Sequence, residues 1–245
     1  MKNLSNLKVA VTGALGGIGI PTLSHLHSLG AQLIAIDIVE AEIAHKVLAE
    51  SGVTVDSYHQ VDITDSKAIS SLIDSFKVNS IPDALVSLAG IVHVGAIQEQ
   101  SEESIREVFE VNVIGQTLIA QAFIKQWLAT DRSGNIIFTS SWIDHVPWPS
   151  VTPYSASKAA IVAISRGIAR AAGLSGARGH RCAAGDGGFG DGRESDGKRS
   201  GGVSRAPPGI KRVFGGEAAR ISGALRGVAA VGWRRSAGGV GGSSA

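Results

Sequence analysis

The chain has 245 residues, 44% of them apolar and 18% charged, with a formal net charge of +2 and one cysteine. That length suits one α/β domain with a sizeable core, or at most two small ones. A single cysteine excludes a disulfide framework and a cysteine-based zinc site, and fits a reducing cytoplasm. No apolar run approaches the ~18 residues of a membrane span. The start, Met1-Lys2-Asn3-Leu4-Ser5-Asn6, leads into a glycine-rich turn rather than a signal peptide. The expectation is a soluble, cytoplasmic protein with no membrane partner.

Strand and helix signals alternate from the start. Lys8 to Thr12 is a β-branched run ending at Gly13. Ile18 to Leu29 reads as helix, stopped by Gly30. Ala31 to Ile36 is an apolar strand that closes on Asp37, and Ala41 to Glu50 reads as helix. Val53 to Val61 reads as strand and Ser66 to Phe76 as helix, with Ser66 as a candidate cap. Ala84-Leu85-Val86 is a short buried strand, Glu102 to Leu128 one long helical stretch, and Asn135 to Thr139 another strand. Pro153 to Ala172 closes the series as a helix. This order predicts an α/β fold: a Rossmann-like, doubly wound parallel sheet with helices on both faces.

The turn Thr12-Gly13-Ala14-Leu15-Gly16-Gly17-Ile18-Gly19 joins the first strand to the first helix. Gly13 permits a tight turn, Gly17 lets backbone approach a pyrophosphate, and Gly19 lets the helix pack close to the strand. An ordinary βα turn is the bland alternative. Asp37 ends the second strand 18 residues after Gly19. A carboxylate there accepts hydrogen bonds from a ribose diol and repels a 2′-phosphate, favouring NAD over NADP.

Tyr154 and Lys158 lie four apart, on one face of the last helix. A free tyrosine is a weak base at neutral pH. A neighbouring ammonium stabilises the phenolate and is expected to lower the Tyr154 pKa. Ser141 precedes Tyr154 by 13 residues, and its hydroxyl is placed to orient a substrate oxygen. A tyrosine and lysine at this spacing are often mere surface decoration; the glycine loop and Asp37 give the pair its weight.

Residues 7–172 resemble the short-chain dehydrogenase/reductases, Rossmann-fold oxidoreductases that use nicotinamide cofactors. Gly13, Gly17 and Gly19 sit on the family's glycine motif, flanked by Gly16 and Ile18. Asp37, next to Ile38, sits on its acidic cofactor selector. Asp62-Ile63 matches the pair that contacts adenine, and Ala89-Gly90 the end of an Asn-Asn-Ala-Gly motif. Asn112, Ser141, Tyr154 and Lys158 match the catalytic tetrad. The resemblance implies that Tyr154 is the acid/base and that Lys158 lowers its pKa and holds the nicotinamide ribose. It implies that Ser141 positions a small-molecule alcohol or ketone and that Asn112 anchors a water in the proton relay. It also implies a homodimer or homotetramer, built through the Glu102–Leu128 and Pro153–Ala172 helices and the C-terminal strand. Ser87-Leu88 departs from the motif's two asparagines; a serine there is expected to keep one hydrogen bond.

Residues 173–245 differ in kind. They hold 21 of the 32 glycines and 10 of the 14 arginines. Their net charge is +7 (12 Lys+Arg, 5 Asp+Glu), against −5 (11 and 16) for residues 1–172. The family's sixth strand and Pro-Gly turn are missing after Ala177-Arg178. Read one base on, the codons for Gly179 to Asp186 permit Val-Thr-Ala-Val-x-Pro-Gly-Met. The leading expectation for this tail is therefore a frame-shifted reading of a dehydrogenase terminus. A disordered extension ranks second and a nucleic-acid-binding segment a distant third. Two functions follow: an NAD-dependent oxidoreductase, or an NAD-binding or interaction protein whose catalysis is impaired. His25 and His27 cannot share a helix face, so no metal site is expected, and Cys182 is taken as inert. Trp142, His145 and Trp148 are candidates for an aromatic substrate lining.

Overall fold

The computed structural model describes residues 4–77, 80–144 and 147–171. Five strands form one parallel sheet: β1 (Lys8–Thr12), β2 (Gln32–Asp37), β3 (Ser57–Gln60), β4 (Ala84–Ser87) and β5 (Asn135–Phe138). The helices are α1 (Gly19–Ser28), α2 (Ala41–Ser51), α3 (Ser66–Ser75), α4 (Glu102–Phe109), α5 (Gln116–Ala129) and α6 (Thr152–Ala171). The sheet order is β3-β2-β1-β4-β5. The chain winds outward from β1 to β3, then returns to place β4 on the other side of β1. That reversal opens a crevice at the carboxyl ends of β1 and β4, where α/β sheets bind their ligands.

Strand alternation divides the core in two. Val9, Val11, Leu33 and Ala35 face Leu23 and Leu26 of α1 and Leu48 of α2. Ala10, Ile34, Ile36 and Leu85 face α3 and α5, where Phe123 and Trp127 are completely buried. Both sheet faces are thus covered by helices. The Trp127 indole N–H donates to the Pro82 carbonyl at 2.7 Å. A Cβ at Gly134 would lie 2.1 Å from the same ring. The large side chain is therefore accommodated by having none opposite it.

Several elements differ from the sequence reading. β3 occupies only the last part of the expected Val53–Val61 strand. The α3 cap is Asp65, whose side chain accepts from the Lys67 N–H, and Ser66 is the first helical residue. The expected single helix over Glu102–Leu128 is interrupted by a π-helical turn, Glu110–Gly115. The expectations for the tail, including 173–245 as a separate unit and Cys182 as inert, concern residues outside those described.

Candidate active site

The glycine loop is shaped by steric necessity at two positions. Gly13 has φ +63°, and a Cβ there would sit 2.7 Å from the Ala89 backbone. A Cβ at Gly19 would sit 2.2 Å from the Gly13 carbonyl oxygen, so α1 starts directly against the loop. Gly17 is different: nothing lies within 4 Å of its Cβ position, which opens on the cleft. The folded chain alone gives no reason for glycine there. A ligand approaching the backbone does, and this fits the phosphates of a dinucleotide at the start of α1.

The cleft has a volume of about 1150 Å³ and runs from this loop past Asp37, Ile38, Asp62 and Ile63 to Ala89 and Gly90. Gly16, Ile18 and Gly19 also line it. It therefore gathers every residue of the expected cofactor set except Tyr154 and Lys158. The Asp37 carboxylate ties loop to strand: one oxygen accepts from the Leu15 N–H at 2.9 Å, the other from the Ile38 N–H at 2.8 Å. One Asp62 oxygen accepts from the Thr64 N–H and hydroxyl, at 2.8 and 2.7 Å. Both aspartates thus act as turn residues while lining the cleft. The sequence reading missed the far wall, formed by Glu103, Glu107 and Glu110 from α4 and the π turn. Arg106 is the one cation among the described lining residues, and it pairs with Glu102 at 2.7 Å.

Four tetrad candidates converge beyond Gly90. Asn112 lies on the π turn, completely buried. Its Oδ1 accepts from the Ile91 N–H and its Nδ2 donates to the Ile91 carbonyl, both at 2.8 Å. Nδ2 also donates to the Ser157 hydroxyl at 3.1 Å. That hydroxyl in turn donates to the Tyr154 carbonyl at 2.7 Å. Ser157, three residues after Tyr154, is a link that the sequence reading did not single out. A Cβ at Gly90 would fall 3.0 Å from Asn112 Oδ1 and 3.6 Å from Lys158 Nζ. Lys158 donates to the Thr139 carbonyl at 3.0 Å, and its Nζ lies 5.5 Å from the Tyr154 ring centroid.

The electrostatics correct one expectation. The Tyr154 pKa is raised, because burial penalises the phenolate more than a hydrogen bond with Ser141 favours it. The Lys158 ammonium is itself buried and pushed down to about 8. The Ser87 expectation also fails: its buried hydroxyl has no hydrogen-bond partner among the described residues. Leu88 instead packs against the α1 side of the core. Thr12 does the holding, with its hydroxyl oxygen accepting from the Leu88 and Ala89 N–H groups at 3.2 and 3.3 Å. Trp148 is about half exposed, and His145 falls outside the described residues.

A family model described as short chain dehydrogenase matches residues 8–185. The chain belongs to the short chain dehydrogenase family. The matched span ends 13 residues past the expected 172 boundary. The 2,3-dihydro-2,3-dihydroxybenzoate dehydrogenase of Bacillus subtilis is 32% identical over 161 residues, 64% of this chain and 60% of that protein. Dehydrogenase RED2 of Cochliobolus heterostrophus is 29% identical over 65% of this chain and 58% of its own length. The match thus spans less than two thirds of these curated relatives. An NAD+-bound xylitol dehydrogenase superposes with a TM-score of 0.62 at 26% identity, covering 69% of this chain and 66% of that one. An NADP-bound 2-deoxy-D-gluconate 3-dehydrogenase homologue from Agrobacterium tumefaciens gives 0.59 at 28%, with the same coverage. No helix among the described residues is long and apolar enough to cross a membrane.

Proposed function

We propose that this chain is an NAD(H)-dependent oxidoreductase acting on a secondary alcohol or ketone, with Tyr154 as the acid/base. The observation that carries this is one juxtaposition. Gly90 ends the cleft opened by the glycine loop, and it touches the space occupied by Asn112 and Lys158. Lys158 in turn lies against Tyr154. A dinucleotide in the cleft would be held by backbone at Gly16 to Gly19, with Asp37 and Ile38 at its ribose and Asp62 and Ile63 beside its adenine. When bound, the nicotinamide supplies or accepts the hydride.

The residues of the chain handle the proton. A buried, protonated Tyr154 phenol is the form that ketone reduction needs, since it gives its proton to the carbonyl oxygen as hydride reaches the carbon. Ser141 hydrogen-bonds Tyr154 and is placed to orient that oxygen. Lys158 then lies close to the nascent phenolate and stabilises it. Asn112 holds the Ile91 backbone behind the site. NAD is favoured over NADP by Asp37 and by the acidic far wall, because both repel a 2′-phosphate. Residues 1–172 form the catalytic unit in this reading. Dimerisation is proposed through α4, α5 and α6. The frame-shift reading of 173–245 is tested by sequencing the source DNA.

NADH oxidation by the intact chain against a panel of ketones tests the activity. Turnover with at least one ketone, abolished by Tyr154→Phe, is the expected result. NADH binding without turnover across the panel would favour an impaired binding protein instead.

A further inference from the structure

The backbone Ala89–Gly90 touches both halves of the site. Ala89 is the surface on which a side chain at Gly13 would collide, and Gly90 is packed toward Asn112 and Lys158. The side chains before it supply no polar tie, since Ser87 has no partner among the described residues and Leu88 is apolar, half-buried between the core and the cleft. Thr12 holds the Leu88 and Ala89 N–H groups, and Asn112 holds Ile91. The Ala89 carbonyl is held by a third residue, Gln116. Its Nε2 donates to that oxygen at 2.6 Å.

Gln116 is an odd residue for its place. It opens the buried stripe of α5 that continues with Ile119, Ala120, Phe123 and Trp127, all completely buried. Its own amide is fully buried too, and Oε1 has no partner among the described residues. Burying an amide with half its capacity unmet costs free energy that an apolar side chain would not. Rotating the amide would set Oε1 against the Ala89 carbonyl, so the observed orientation is the one that serves Ala89.

We propose that Gln116 is a positioning residue for the cofactor. By holding the Ala89 carbonyl toward α5, it turns the Gly90 N–H the opposite way, because the peptide unit is planar and trans. Gly90 is exposed and lines the cleft. Its N–H is thereby presented as a fixed donor to the bound dinucleotide, next to Lys158. This assignment rests on the NAD(H)-binding reading above.

Gln116→Met tests it, since methionine keeps the volume and removes both the donor and the unpaired oxygen. NADH binding to the full-length chain is followed by fluorescence titration. Amide hydrogen exchange over residues 88–92 is followed without ligand. The melting temperature is expected close to wild type, since the lost Ala89 bond and the removed unpaired oxygen offset each other, with NADH binding weakened about tenfold and exchange over 88–92 accelerated. Gln116→Glu replaces the donor with a charged acceptor and is expected to bind NADH more weakly still. A Gln116→Met protein that melts well below wild type shows a structural residue and overturns the proposal. So does unchanged NADH affinity. Wild-type protein that fails to bind NADH overturns the cofactor reading itself, and this inference with it.

Discussion

The two ends of the cleft are built by different means. At the glycine loop the geometry is dictated by backbone contacts within a few residues: Gly13 in a left-handed conformation, and Gly19 with no room for a Cβ. At the catalytic end it is dictated by side chains from distant elements. Asn112 comes from the π turn, Ser141 from the loop after β5, and Tyr154, Ser157 and Lys158 from α6. They are joined by hydrogen bonds across separations such as 45 residues between Asn112 and Ser157. The first end is rigid because alternatives clash. The second is rigid only while each buried polar group keeps its partner.

The sharpest break of this comparison is expected at the catalytic end. Tyr154→Phe should lower ketone reduction about 10³-fold, while NADH binding persists in fluorescence titration. Loss of binding together with turnover would contradict the acid/base role. Selectivity comes next. Asp37→Ser removes the carboxylate proposed to meet the ribose and should narrow the NADH-over-NADPH preference about tenfold or more, read as a ratio of dissociation constants. A ratio that does not move would leave discrimination to the acidic wall of α4.

Two glycine variants separate folding from binding within one loop. Gly19→Ala drives a methyl into the Gly13 and Ala14 carbonyls and should destabilise the chain by about 2 kcal/mol or more in urea denaturation. Gly17→Ala meets nothing and should leave the denaturation midpoint in place while weakening NADH binding. Equal midpoints for the two variants would refute the steric account.

The effect confined to the narrowest range of conditions concerns Lys158. Its folded pKa, about 8, lies below its ordinary value of 10.5. Between those values the unfolded chain binds the extra proton, so stability should rise with pH through this window. Lys158→Met should lack that rise. A wild-type chain no more pH-dependent than Lys158→Met would mean that the ammonium is better solvated than its burial suggests.

Much of the fold was legible because its signals are local. Four short apolar strands and the more polar edge strand β3, separated by helical stretches, produced the parallel sheet with helices on both faces. The placement of the glycine loop and Asp37 along one cleft was legible because a βα turn uses residues close in sequence. The far wall of the cleft was not, since Glu103, Glu107 and Glu110 read simply as a solvated helix face. The misplaced α3 cap is a one-residue error between neighbours that can both accept a backbone N–H.

The interruption of the α4–α5 stretch had no sequence signal, because a π turn adds a residue without breaking the helical pattern. It is also where Asn112 sits. By itself the sequence determined the sheet, the glycine loop and which polar residues are available around Tyr154. Tertiary structure alone decided which of those polar groups found partners. Ser87 lost its expected bond, Thr12 and Gln116 took over the backbone beside it, and burial raised Tyr154 where a lysine neighbour seemed bound to lower it. Desolvation and hydrogen-bond satisfaction depend on everything packed around a group, and no spacing along the chain encodes that.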